Sequence, residues 1–390
     1  MKAIKSSLTL LLSTLIMIIS GCASNGISRV AMYESEQYYN YLQPTFDQYV
    51  ETTTEWLREN RAFITEHDQH EIELAMNAPY SKGDPSSEKA ILLAHGLGDS
   101  PFSFSDISDS LAEQGFYVQV VLLPGHGSNP KHMKMVNYQD WQIMIDHYAQ
   151  QLKQQYDEVW LGGFSTGGNL VSIHALDNQG VDGLMLFSPG FQTRTPVLEK
   201  LTPLVAIFTE GWFTEESNLA KYNSGLLVSA LAYSESAKVF RNKIADQKLD
   251  IPVMLVVSEA DSVIDANALN KYFGQHFTHT KSRLVWYGES TEFKLPGKVE
   301  RYSMQRDDLR ISTASHMSPL FAPDNSYYGQ GGDKIICENS LSSSDVEACN
   351  QGEKTWFSAW GYTEVDRIHA RLTWNPYYAE LDKTMKAIAL

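Results

Sequence analysis

The stretch Leu161-Gly162-Gly163-Phe164-Ser165-Thr166-Gly167-Gly168 sets a serine between glycines, directly after an apolar run and directly before a helical pattern. Glycine so placed permits a sharp turn that lifts a serine hydroxyl clear of the backbone, and Gly-x-Ser-x-Gly between a strand and a helix is the setting in which such a serine acts as a nucleophile. A serine hydroxyl is a weak nucleophile at neutral pH, so it needs a base to take its proton and an acid to orient that base. In strand–turn–helix sites of this kind the partners follow in the chain order serine, acid, histidine. Asp261, in Ser258-Glu259-Ala260-Asp261, lies just after the apolar run 253–257, with Glu259 and Asp265 as rivals; Asp265 precedes a helical pattern and reads as its N-cap. Of eleven histidines, only His316 and His369 follow the last predicted strand. His369 lies inside a terminal pattern read as a helix over 365–389, interrupted at Pro376, and His316 lies in the loop Ser315-His316-Met317-Ser318-Pro319.

These side chains are far apart in sequence and need a scaffold. From about residue 88 short apolar runs recur at 90–94, 117–123, 159–161, 184–187, 253–257 and 284–287, each the length of a strand buried on both faces. Amphipathic stretches separate them, one from Phe102 to Glu113 with Ser100 as its N-cap and Pro101 at the first helical position, and one from Trp141 to Tyr156. The alternation predicts a three-layer α/β sandwich with a mostly parallel central sheet. The interval 191–249 holds no convincing strand; Leu198, Leu201, Leu204, Val205 and Phe208 recur near helical spacing, followed by Trp212 and Phe213, so it reads as a helical cap over the sheet. Phe46, Tyr49, Val50 and Leu57 predict an N-terminal helix, and 319–362 reads as a second irregular insertion. The expected organisation is therefore a leader over 1–21, a tether and helix over 22–60, a core over 61–190 and 250–390, the cap, and the insertion within the core.

The chain resembles the carboxylesterase and monoacylglycerol lipase branch of the α/β-hydrolases. The residues that carry the likeness are His95-Gly96-Leu97-Gly98, Leu123-Pro124-Gly125-His126-Gly127-Ser128, Gly163-Phe164-Ser165-Thr166-Gly167, Asp261 and His316, in the order that fold requires. The resemblance implies an oxyanion hole made by the backbone N–H groups of Leu97 and Thr166, and gives His126 the role of supporting its turn. It covers roughly residues 88–318 and the terminal helix. The 319–362 insertion and the N-terminal helix depart from the family pattern.

The first residues read as a targeting segment. Lys2 and Lys5 precede an apolar run over 8–19 that is short for a membrane span. Ile19-Ser20-Gly21-Cys22 then resembles the bacterial lipoprotein signal, which implies that Cys22 is acylated and becomes the mature N-terminus, lipid-anchored at the cell envelope. Ala23 rather than aspartate at the next position points to the periplasmic face of the outer membrane in a Gram-negative host. Export implies an oxidising compartment, and Cys337 and Cys349, twelve positions apart across a polar loop, read as one disulfide.

A net charge of −16 and an isoelectric point near 5.1 argue against nucleic acid as a partner. No metal site is expected: His67 and His70 flank Asp68 in what reads as a solvated loop before a strand near 71–76, and Asp324 and Asp333 lack the spacing of a calcium loop. No cofactor is implied, and nothing in the sequence sets an oligomeric state. The expectation is an envelope-anchored serine hydrolase acting on a small acyl ester, with the cap's apolar residues suggesting an acyl chain. Rivals are a serine peptidase or acyltransferase of the same fold, and a non-catalytic envelope lipoprotein.

Overall fold

A computed structural model describes residues 38–196, 202, 209–339 and 342–390. The leader, Cys22 and the cap residues Leu198, Leu201, Leu204, Val205 and Phe208 lie outside the described residues. The chain divides into two units, 1–40 and 41–390. In the first, the rings of Tyr38 and Tyr39 lie 5.1 Å apart. Everything below belongs to the second.

Eight strands form the central sheet: β1 (Tyr80–Lys82), β2 (Lys89–Ala94), β3 (Phe116–Val121), β4 (Glu158–Phe164), β5 (Gly183–Phe187), then, after a short ribbon of β6 (Gly211–Trp212) and β7 (Gly225–Leu226), β8 (Val253–Ser258), β9 (Arg283–Tyr287) and β10 (Val299–Tyr302). Their order is β1-β3-β2-β4-β5-β8-β9-β10, with β1 antiparallel to β3 and every other pair parallel. The inner strands are apolar because both faces are covered. Ile91, Leu93, Val118, Leu161, Leu186, Leu255 and Val285 are all fully buried, and each such side chain contributes roughly 1.5–3 kcal/mol. β1 and β10 were not expected. Both are short, half-exposed edge strands that carry no apolar run.

The helices are α1 (Phe46–Asn60), α2 (His70–Asn77), α3 (Ser105–Glu113), α4 (Tyr138–Gln155), α5 (Thr166–Asp177), α6 (Leu227–Ile244), α7 (Ala266–His276), α8 (Ser343–Asn350) and α9 (Tyr378–Ile388). None of them is long and apolar enough to cross a membrane. α1 buries Phe46, Tyr49 and Leu57, as their spacing predicts. The Tyr49 hydroxyl donates to the Leu122 carbonyl at 3.0 Å and accepts from its N–H at 2.9 Å, pinning α1 to the end of β3. α4 begins at a capping box made by Asn137 and Asp140.

Four expectations need correction. The segment 71–76 is helix, not strand. It turns Glu73 inward, where the carboxylate meets Arg61 at 2.7 Å and accepts from the N–H groups of Ile64 and Thr65. The stretch after Ser100 opens as a 3-10 turn over Pro101–Phe104 before α3, and the Ser100 hydroxyl donates to the Met76 carbonyl instead of capping. The cap contains the antiparallel ribbon β6–β7 besides α6. The terminal segment is not one helix, because Ile368–Arg371 forms strand β12 beside β11 (Thr355–Ser358) and only 378–388 is helical. That parallel pairing is long-range and overrides the local helical pattern. Cys337 and Cys349, both buried, are joined by a disulfide.

Candidate active site

β4 ends at Phe164 and α5 starts at Thr166, so Ser165 is the whole turn. Its φ of 51° with ψ of −114° is a conformation non-glycine residues rarely adopt, and such strain is held only where neighbours enforce it. Here the Ser165 N–H donates to the Phe187 carbonyl at 3.1 Å, and the Ser165 carbonyl accepts from Gly190 at 2.8 Å. The flanking glycines are required by close approach. A Cβ on Gly163 would sit 2.4 Å from the Gly167 carbonyl carbon, and one on Gly167 would sit 1.9 Å from the Ala94 carbonyl oxygen. The second contact presses the start of α5 against the carboxyl end of β2, where the His95–Gly98 loop begins. The sheet order reverses between β2 and β4, which makes this crevice the switch point at which open α/β sheets build their sites.

The acid and the ring come from the other side of Ser165. Asp261 follows β8 and is almost fully buried. One carboxylate oxygen accepts from the N–H groups of Val263 and Ile264 at 2.8 and 3.1 Å; the other lies 2.6 Å from His316 Nδ1. That contact holds the proton on Nδ1 and leaves Nε2 as the basic nitrogen. The ring packs against Phe164, centroids 4.9 Å apart. Its loop is braced: the hydroxyls of Ser315 and Ser318 both donate to the Leu372 carbonyl, just past β12. Ser165, Thr166, Leu97 and His316 line one cavity of about 240 Å³. Among the described residues no hydrogen bond joins the Ser165 hydroxyl to the His316 ring.

The rivals have other work. Glu259 accepts from the N–H of Ser290 at 2.9 Å and from the Trp286 indole at 3.3 Å, and Asp265 caps α7 through the N–H of Ala268. His369 stands in β12, where Nε2 lies 3.4 Å from Glu364; burial lowers its pKa. His70 stacks on Phe63, centroids 3.9 Å apart, and no group of three His, Cys, Asp or Glu that could hold a metal ion occurs among the described residues.

Two buried histidines shape the loops. His95 Nε2 accepts from the Leu123 N–H at 3.0 Å, so Nδ1 carries the proton and donates to the Gly96 carbonyl at 2.8 Å. The ring thereby ties the loop after β2 to the loop after β3. His126 Nδ1 faces the carbonyls of Leu123 and Pro124. Burial pushes the pKa of His95 down to about 4 and that of His126 to about 3, so both are neutral struts.

Sequence reasoning did not find the remaining wall. Lys221 and Tyr233 reach the Ser165 cavity from the cap, and Trp360 and Arg371 reach it from the 319–374 region. An adjoining cavity of about 610 Å³ shares Leu97, Lys221, Trp360 and Arg371 with it and is also lined by Trp212. Trp212 was marked as an apolar cap residue, but nothing in local spacing marked Lys221, Tyr233, Trp360 or Arg371, because each arrives through long-range packing.

Residues 85–238 match the family model described as serine aminopeptidase, S33. Over 95 residues the chain is 27% identical to a thermostable monoacylglycerol lipase from Bacillus sp. (strain H-257), a match covering 24% of this chain and 38% of that lipase. Among solved structures, one from a study of LipS and LipT, two metagenome-derived lipolytic enzymes, superposes with a TM-score of 0.48 at 19% identity over 57% of this chain and 91% of its own. The monoacylglycerol lipase of Paleococcus ferrophilus gives 0.45 at 16% identity over 58% and 88%. The predominantly parallel eight-stranded sheet with its flanking helices is that of the α/β-hydrolase fold, and the family match spans its nucleophile turn.

Proposed function

We propose that the protein is a serine hydrolase that cleaves carboxylic esters through an acyl-enzyme. The observation that carries this reading is the Asp261–His316 pair at 2.6 Å, opening on the same cavity as a serine held at positive φ. His316 Nε2 takes the hydroxyl proton of Ser165 as its oxygen attacks the ester carbonyl. The N–H groups of Leu97 and Thr166 receive the oxyanion, aided by the amino end of α5. The tetrahedral adduct collapses, His316 gives its proton to the leaving alcohol, and a water activated by the same ring releases the acid. Catalytic hydrogen bonds commonly tighten only once substrate is present.

A peptidase reading has one specific support, the aminopeptidase description of the matching family. A substrate amine needs a negative subsite. The cavity at Ser165 instead sets Lys221 and Arg371 against Asp99, which favours the ester reading. Hydrolysis of 4-nitrophenyl esters graded by chain length, beside matched anilides, tests it. Ester turnover should exceed anilide turnover by at least a hundredfold and fall by about 10⁴-fold or more in Ser165→Ala. Anilide turnover equal to that of the ester, or ester turnover surviving the substitution, would contradict it.

From Ile19-Ser20-Gly21-Cys22 we further propose that the mature protein is held at the cell envelope through acylated Cys22, on the periplasmic face of the outer membrane in a Gram-negative host. Cys22→Ser should shift it from the membrane to the soluble fraction, and continued membrane retention would refute the anchor.

A further inference from the structure

The wall of the Ser165 cavity carries a guanidinium that this mechanism does not use. Arg371 ends β12 and lines both the 240 Å³ cavity at Ser165 and the adjoining 610 Å³ cavity. Its Nε is buried without a hydrogen-bond partner. Among the described residues the guanidinium makes one side-chain hydrogen bond, from Nη2 to the Glu338 carbonyl at the long distance of 3.5 Å, and no ion pair within 4 Å.

Arg61, whose side chain is more deeply buried, shows what saturation looks like in this fold. Arg61 meets the Glu73 carboxylate at 2.7 Å and donates to the carbonyls of Leu219 and Gly127. Arg371 has no such set. Leaving the buried Nε of a half-buried cation without an acceptor is unfavourable, and burial lowers the pKa of Arg371 against the opposing pull of the nearby carboxylates of Glu338 and Asp99. The neighbouring charges do not neutralise it. Asp99 is taken by Lys221, Nζ to Oδ1 3.0 Å, and Glu338 is exposed on the outer cavity. Among the side chains lining the Ser165 cavity, Lys221 and Arg371 against Asp99 leave one positive charge over, in a chain whose net charge is −16.

We propose that this cavity takes an ester carrying an anionic group, a carboxylate or a phosphate, which seats on the fork of Arg371 while the ester carbonyl lies at Ser165. The inference rests on the hydrolase reading above and names its substrate class. A guanidinium presents parallel N–H donors that match either oxyanion two at a time, which an ammonium does not do. The strand that carries Arg371, β12, pairs with β11 of the 319–362 insertion, the segment that departs from the family pattern.

Two matched pairs test it: mono-4-nitrophenyl succinate against 4-nitrophenyl butyrate for a carboxylate on the acyl side, and 1-octanoylglycerol 3-phosphate against 1-octanoylglycerol for a phosphate on the alcohol side. In wild type at least one anionic member should exceed its neutral partner in kcat/KM by tenfold or more. In Arg371→Met that ratio should fall by a further tenfold or more, as expected for losing a charge-assisted hydrogen-bonded contact. Arg371→Lys, which keeps the charge and loses the fork, should recover part of it, with the loss appearing in KM more than in kcat. A smaller fall in Arg371→Met, or no tenfold preference in wild type for either pair, overturns the inference. Binding of succinate and of glycerol 3-phosphate to Ser165→Ala, with and without Arg371→Met, separates the two readings. Arg371-dependent binding without turnover by wild type sinks the hydrolase and keeps the anion site. Turnover without Arg371 dependence sinks the anion site and keeps the hydrolase.

Discussion

The turn after β4 and the region 319–374 wall the same cavity, yet they are built in opposite ways. The turn is local: a serine is forced to positive φ by glycines whose missing side chains let α5 press on β2. The second region is assembled from a distance. A disulfide joins Cys337 to Cys349, β11 pairs with β12, and Leu372 then anchors the hydroxyls that brace the His316 loop. Ser165, Asp261 and His316 thus sit on short motifs at or beyond strand ends, whereas the cavity wall that carries Trp360 and Arg371 is set by contacts no short motif encodes.

The largest effect expected on the local side comes from Asp261→Asn. The amide keeps an acceptor for the N–H groups of Val263 and Ile264 but can hold His316 in the wrong tautomer, so kcat should fall by about 10⁴ with thermal stability nearly retained. A loss below tenfold, measured on any ester the wild type cleaves, would remove Asp261 from the account.

Acid comes next. His95 and His126 are held neutral in the folded chain with pKa values near 4 and 3, against an ordinary value near 6.5. Between those limits the unfolded chain binds more protons, so the stability they supply is complete above about pH 6.5 and drains away as pH falls toward 4 and below. His95 alone accounts for ~3 kcal/mol of that loss. Urea titrations at pH 7 and pH 4.5 should show the drop, and His95→Gln should lessen it. A pH-independent midpoint would mean the two rings do not titrate as buried struts.

The smallest effect falls on the distant side. Replacing both Cys337 and Cys349 with serine should lower stability by about 2–3 kcal/mol, on a chain-entropy account of so short a loop. It should reduce reaction at Ser165 by less than tenfold, since the glycine turn owes nothing to the disulfide. A loss as deep as that of Asp261→Asn would erase the distinction between the two regions.

The same distinction explains what the sequence reveals. Past their first residues β2 and β4, like all of β8, are buried runs, and such runs announce themselves; Ser165, Asp261 and His316 sit at or beyond strand ends in the expected order, with 2.6 Å between the last two. β12 is four residues long and paired with β11 of the insertion, so it read as part of a terminal helix, and Arg371 was hidden with it. Lys221 lies in a cap stretch with no periodicity, and its place on the cavity wall follows from its ion pair with Asp99 after β2. Glu73 looked like a strand residue until the helix around it turned the carboxylate onto Arg61. In each case a contact between segments distant in sequence outweighed the local pattern.

The central claim is that Ser165, His316 and Asp261 act as one unit on the Ser165 hydroxyl. Covalent labelling by a fluorophosphonate probe, with the modified peptide identified by mass spectrometry, tests it most directly. The account predicts a single modified residue, Ser165, with labelling abolished in Ser165→Ala and slowed at least a thousandfold in His316→Ala. Equal labelling of wild type and Ser165→Ala, or modification at any other residue, would contradict it.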